Sequence, residues 1–196
     1  MRQRLSGRFR LLGLALLGVS GVAHAHTLGL PHLDFATGLG HPVSGLDHIL
    51  AMVAVGLWAA QLGGRALWWV PLTFVLTMAA GSAPGFLGVP SPAVESGIAG
   101  SVLALGLLVA FAARLPLAGS LALVGMFALF HGYAHGAEMA AGSSALWYSL
   151  GFILATALLH GAGIGVGLVA RRGAAAQILR LGGAAIAASG VLLWVG

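Results

Sequence analysis

The chain has no cysteine. That excludes disulfides, iron–sulfur clusters and thiolate metal sites, even with an N-terminus exported to a compartment where disulfides form. Charge is nearly as scarce. Only 7% of the 196 residues are charged, and the acids are Asp34, Asp47, Glu95 and Glu138. With 59% apolar residues and a mean hydropathy of +1.01, the composition excludes a soluble domain, and no stretch between the apolar runs is long enough to fold as one. A phosphate loop is missing as well: GAGIGVG at 161–167 lacks the G-x-G-x-x-G spacing and lies inside an apolar run, so no nucleotide partner is expected.

What remains is an all-α membrane bundle. Four of the nine arginines, Arg2, Arg4, Arg8 and Arg10, precede an apolar run from Leu11 to Val22 and the small-residue pattern Ala23-His24-Ala25. Together these read as a cleavable signal peptide over 1–25, the run being too short to span a bilayer. Without it, five arginines face four acids, so the basic pI near 11.5 implies neither nucleic acid nor another anionic partner. A periplasmic segment over 26–44 is then expected, followed by a transmembrane domain over 45–196 with six spans at about 45–62, 67–83, 93–113, 117–141, 146–170 and 174–195. Continuous apolar runs favour helices over the alternating segments of a barrel.

Cleavage places the new N-terminus in the periplasm, and the arginines test the alternation that follows. Arg65, Arg114, Arg171, Arg172 and Arg180 all fall in loops expected on the cytoplasmic side, and the loops around 84–92 and 141–146 contain none. Both termini of the mature chain are thus expected in the periplasm, with the protein in a bacterial inner membrane. Glycines four apart, such as Gly161/Gly165 and Gly163/Gly167, suit close helix packing in lipid.

This orientation gathers the ionisable side chains in the periplasmic half. His131, His135 and Glu138 fall within an arc of about 60° on one helix face, the spacing by which a helix offers two imidazoles and a carboxylate to one ion. A purely structural role is weak on magnitudes. Interhelical hydrogen bonds average about 0.6 kcal/mol, whereas a charged acid at the bilayer centre costs roughly 2.5–3.5 kcal/mol on insertion scales. HPVSGLDH at 41–48 adds His41, Asp47 and His48 at the mouth of the first span, where Pro42 and Gly45 break the helix and Ser44 is placed to cap it. Macrodipole capping is the structural alternative for Asp47, and for Glu95 in the first turn of the third span. His160 lies about 14 residues into the fifth span, near the bilayer middle. Cleavage after Ala25 leaves His26 as a two-toothed terminal ligand; cleavage after Ala23 makes it the third residue, suited to square-planar chelation.

HPVSGLDHILAM at 41–52, with Gly56 to Ala59 as GLWA, FHGYAHGAE at 130–138 and GFILATALLH at 151–160 together resemble the HupE/UreJ family of nickel permeases. The resemblance runs along essentially the whole chain. It implies a cleaved leader, six spans and uptake of Ni(II), sometimes Co(II), for maturation of hydrogenase or urease. It also implies metal contacts at His41, Asp47, His48, His131, His135 and Glu138. The His-x5-Asp-His pattern is similar, one residue longer, to the His-x4-Asp-His signature of a separate nickel/cobalt transporter family.

The residues and the resemblance lead to one expectation: a non-enzymatic permease captures the hydrated ion at its periplasmic mouth and passes it to His131, His135, Glu138 and His160. Imidazole and carboxylate do not select the metal, so nickel rests on the resemblance and Co(II) or Zn(II) suit the same donors. Two other classes use these residue types. One is an intramembrane zinc hydrolase acting on lipid, with Asp47 or Glu138 activating a water; the other is a haem-binding membrane cytochrome.

Overall fold

The computed structural model describes residues 30–196; the leader read at 1–25 and His26 lie outside the described residues. These residues form seven α-helices and no strand: α1 (Pro31–Ser44), α2 (Leu46–Leu62), α3 (Ala66–Phe86), α4 (Val94–Ala110), α5 (Leu117–Ala137), α6 (Ala145–Val169) and α7 (Gly173–Val195). The helical boundaries from α2 onward fall close to those read from the apolar runs.

The count of full spans differs from the expected six. Four helices, α3, α5, α6 and α7, are long and apolar enough to cross a membrane. The 17-residue α4 is shorter; at 1.5 Å per residue it covers about 26 Å against a hydrocarbon core of about 30 Å. α1 and α2 meet the criterion only as a pair, bent by 81°. The bend lies at Gly45, whose extended backbone (φ −104°, ψ 125°) interrupts the helical ladder.

Local chemistry explains the break. Ser44 does not cap α2. Its hydroxyl donates back to the His41 carbonyl at 2.7 Å and closes α1, while Asp47 Oδ1 accepts the His48 backbone N–H at 2.8 Å. α1 itself was not foreseen within the segment 26–44. Pro31 starts it, its fixed φ suiting the first turn. It crosses α6 so closely that a Cβ on Gly38 would overlap the Tyr148 carbonyl oxygen, and one on Gly151 the Phe35 carbonyl oxygen. Asp34, fully buried, accepts the backbone N–H of Ser144 at 2.9 Å, tying α1 to the start of α6.

Between its polar ends α2 is apolar on every side, as a helix surrounded by others must be. Met52, Val55 and Trp58 are completely buried, and the helix packs against α3, α4 and α6. Its far end fastens the end of α4: Trp58 Nε1 donates to the Ala113 carbonyl at 2.8 Å and Gln61 Nε2 to the Val109 carbonyl at 3.0 Å. These bonds tie the two helix ends together, the Val109 carbonyl also accepting the Ala112 backbone N–H at 3.1 Å.

The most extensive seam joins α3 to α5. A Cβ on Gly132 would overlap the Met78 carbonyl oxygen, and one on Gly136 the Ser82 carbonyl oxygen. Without a hydrophobic drive between helices in lipid, such backbone approach supplies the dispersion contacts. The glycine run in α6 divides in two. Gly163 and Gly167 meet α2, whereas Gly161 and Gly165 face open space.

Candidate metal site

The α3–α5 seam sets the rotation of α5. Because Gly132 and Gly136 face α3, the residues immediately before them, His131 and His135, form a second row one turn apart; both are fully buried. His48, in the first turn of α2, lies against that row. Its ring centroid is 4.9 Å from that of His131 and 4.8 Å from that of His135. His41, in the last turn of α1, is 4.9 Å from His135 and 6.1 Å from His48. Four imidazoles from three helices thus stand in contact.

Hydrogen bonding decides which nitrogens are available. The Ser101 hydroxyl donates to the Ile98 carbonyl at 2.7 Å and lies 2.8 Å from His131 Nε2. A hydroxyl has one proton, so Ser101 accepts from His131 Nε2–H, and the lone pair of that ring sits on Nδ1. His48 Nδ1 lies 2.9 Å from Asp47 Oδ1. A carboxylate accepts only, so Nδ1 holds the proton and Nε2 the lone pair. His48 Nε2, His131 Nδ1 and both nitrogens of His135 are buried without a hydrogen-bond partner. Orienting a ligating histidine through a carboxylate or hydroxyl on its other nitrogen is the usual outer-shell arrangement of metal sites. Aromatic contacts fix the rings further: Phe152 stacks on His135 at 4.7 Å and 5°, and Phe74 is 5.6 Å from His131.

The site opens at one end only partly. His41 Nε2 is 3.0 Å from Glu138 Oε2, and this hydrogen bond holds the Glu138 carboxyl below the usual carboxylate range. A cavity of about 190 Å³ is lined by His41, Ser44, Gly45, Asp47, His48 and Glu138. The Glu138 side chain is 54% exposed and that of His41 18%, so polarity falls inward from an accessible carboxylate to fully buried imidazoles.

The expected group of His131, His135, Glu138 and His160 is therefore divided. Glu138 pairs with His41 at the mouth. His160, 2% exposed and with both nitrogens unpartnered, lies beyond Phe74, whose ring is 5.2 Å away. Among the described residues no three His, Asp or Glu side chains already close on one point as a finished metal cage. The rings meet by edges and faces and would turn to coordinate together. Glu95 is exposed at the start of α4 and takes no part; His32 is exposed on α1. Ser101, six residues after Glu95, lies about 240° around the helix from it, which is why the serine faces inward and the acid outward.

Sequence reasoning did not find Ser101, Asp34 or the rings of Phe74 and Phe152. A serine or phenylalanine in an apolar run carries no signal of its own, and Asp34 falls in the segment 26–44 expected only to be periplasmic.

The fold and this site define a multi-pass helical membrane protein whose bundle encloses a cluster of buried, partly unpaired imidazoles. A family model described as HupE / UreJ protein matches residues 14–193, and the chain belongs to that family. It is 49% identical over 184 residues to Protein HupE of Rhizobium leguminosarum bv. viciae, a match spanning 93% of this chain and 95% of the relative. No solved structure gives a significant match.

Proposed function

We propose that the protein is a permease that takes up a divalent transition metal, nickel in particular, across a bacterial inner membrane. Membership of a family known for nickel and cobalt uptake supports the metal class and argues against the hydrolase. One observation carries the reading: His48, His131 and His135 meet in an apolar bundle with lone-pair nitrogens that no protein group uses. Leaving several buried polar atoms unpaired costs about 1–3 kcal/mol each, and a passing cation is the partner that would repay this.

In this reading the arginine-poor end, with Glu138, His41 and Asp47, faces the periplasm, and so do both ends of the mature chain. The acids gather the hydrated ion in the cavity between α1, α2 and α5. His48, His131 and His135 exchange its waters for imidazole nitrogen, and His160 receives it beyond Phe74. The rings bind as neutral imidazoles through those lone pairs, and a proton on any of them competes with the ion. A divalent ion entering down 100 mV gains about 4.6 kcal/mol, enough to draw it inward without a nucleotide. The ion then supplies maturation of a hydrogenase or urease.

Radioactive nickel uptake in energised vesicles tests the proposal. Wild type accumulates nickel in competition with cobalt, and His131→Ala/His135→Ala, present in the membrane at equal amounts, does not. Equal uptake by the two would end it.

A further inference from the structure

At the opposite end of α2 a second cavity, of about 380 Å³, is lined by Gln61, Arg114, Arg171, Arg172 and Arg180 among others. Four guanidiniums share it. The ion pairs among the described residues are His41 with Glu138 and His48 with Asp47, so none of these arginines is neutralised by an acid. No carboxylate lines the basin: Asp47, Glu95 and Glu138 lie at the other ends of α2, α4 and α5. Arg180 Nε donates to the Ala110 carbonyl at 2.8 Å, which fixes that guanidinium at the edge of the basin. α7 begins beside it with Arg172 as its N-cap and no side-chain cap on its first N–H groups, so the helix dipole adds positive potential.

An apolar groove of about 540 Å³ adjoins the basin, formed on α4 and α7 by Leu107, Phe111, Leu181 and Ala184 and sharing Arg180 with it. Phe111 and Leu181 are 70% and 71% exposed. Positive-inside loops need only carry arginines; they do not need to pool them around one cavity whose Arg180 also lines an apolar groove.

We propose that the basin and groove together bind an anionic phospholipid, the phosphate held by Arg114, Arg171, Arg172 and Arg180 and an acyl chain lying between α4 and α7. Guanidiniums match phosphate oxygens with paired, charge-assisted hydrogen bonds, and basic pockets between transmembrane helices are a recognised headgroup environment. The site is independent of the metal reading.

Native mass spectrometry of the full chain in a neutral detergent, with phosphatidylglycerol, phosphatidylcholine or inorganic phosphate added, tests it. Wild type should retain phosphatidylglycerol at least tenfold more strongly than phosphatidylcholine, with retention falling as ionic strength rises. Arg171→Gln/Arg172→Gln, which alters exposed side chains only, should lose at least tenfold. Equal retention of the two lipids, full retention by the variant, or occupancy by inorganic phosphate that displaces the lipid would each overturn the proposal. Should the variant not fold, the lipid selectivity and salt dependence of wild type decide alone.

Discussion

The two ends of α2 are built from opposite chemistry. At Asp47 and His48 it meets acids and imidazoles that are half to fully buried; at Gln61 and Leu62 it borders a basin of exposed arginines. The difference lies in accounting as much as in sign. Arginines at the surface reach water or headgroups and cost little to keep, whereas unpaired nitrogens of His48, His131 and His135 have no such outlet. A bundle maintained for packing alone would replace the second set and tolerate the first, so the imidazole end is where the account places function.

Breaking that contrast at the imidazole end gives the largest expected effect. His131→Ala/His135→Ala should reduce nickel uptake more than tenfold with the protein still inserted, measured as initial rate against membrane protein. Next come the residues that set ring orientation. Ser101→Ala and Asp47→Asn should each weaken nickel binding about 10–100-fold, read by competition with a chelating dye, with Ser101→Thr restoring part of the loss. Acidification follows. Protons compete with the ion for each imidazole lone pair, so nickel affinity, read by the same dye competition, should fall as the pH drops from about 7 to about 5. Glu138, held ionised by its hydrogen bond from His41, stays charged through that range. Glu138→Gln should therefore raise the nickel concentration for half-maximal uptake and leave the maximal rate nearly unchanged, if the residue gathers the ion at the mouth as proposed. The smallest effect belongs to the arginine end: Arg171→Gln/Arg172→Gln should leave nickel affinity unaltered in a binding titration.

Much of this was legible in the sequence. Apolar runs located α2 to α7 within a few residues, and the 100° step placed His131 and His135 on one face. Two features escaped for physical reasons. α1 was hidden because what holds it against α6 is the close approach of Gly38 to Tyr148 and of Gly151 to Phe35, a tertiary contact that no local pattern reports. The separation of Glu138 from His160 depends on which helix each residue meets. Glu138 ends α5 beside His41, and Phe74 of α3 stands before His160; helical phase fixes a face but not its neighbour. Similarly, apolar run length was read as six full spans, while Gly45 and the short α4 reduce the number of helices that cross unaided.

The central claim is that imidazoles from α2 and α5 bind one ion together. X-ray absorption at the nickel edge of the purified, nickel-loaded protein tests it most directly. Wild type should give outer-shell scattering from at least two imidazole rings, lost in His48→Ala/His135→Ala; a spectrum of oxygen donors only, or one identical in the variant, would show that the rings do not share the ion.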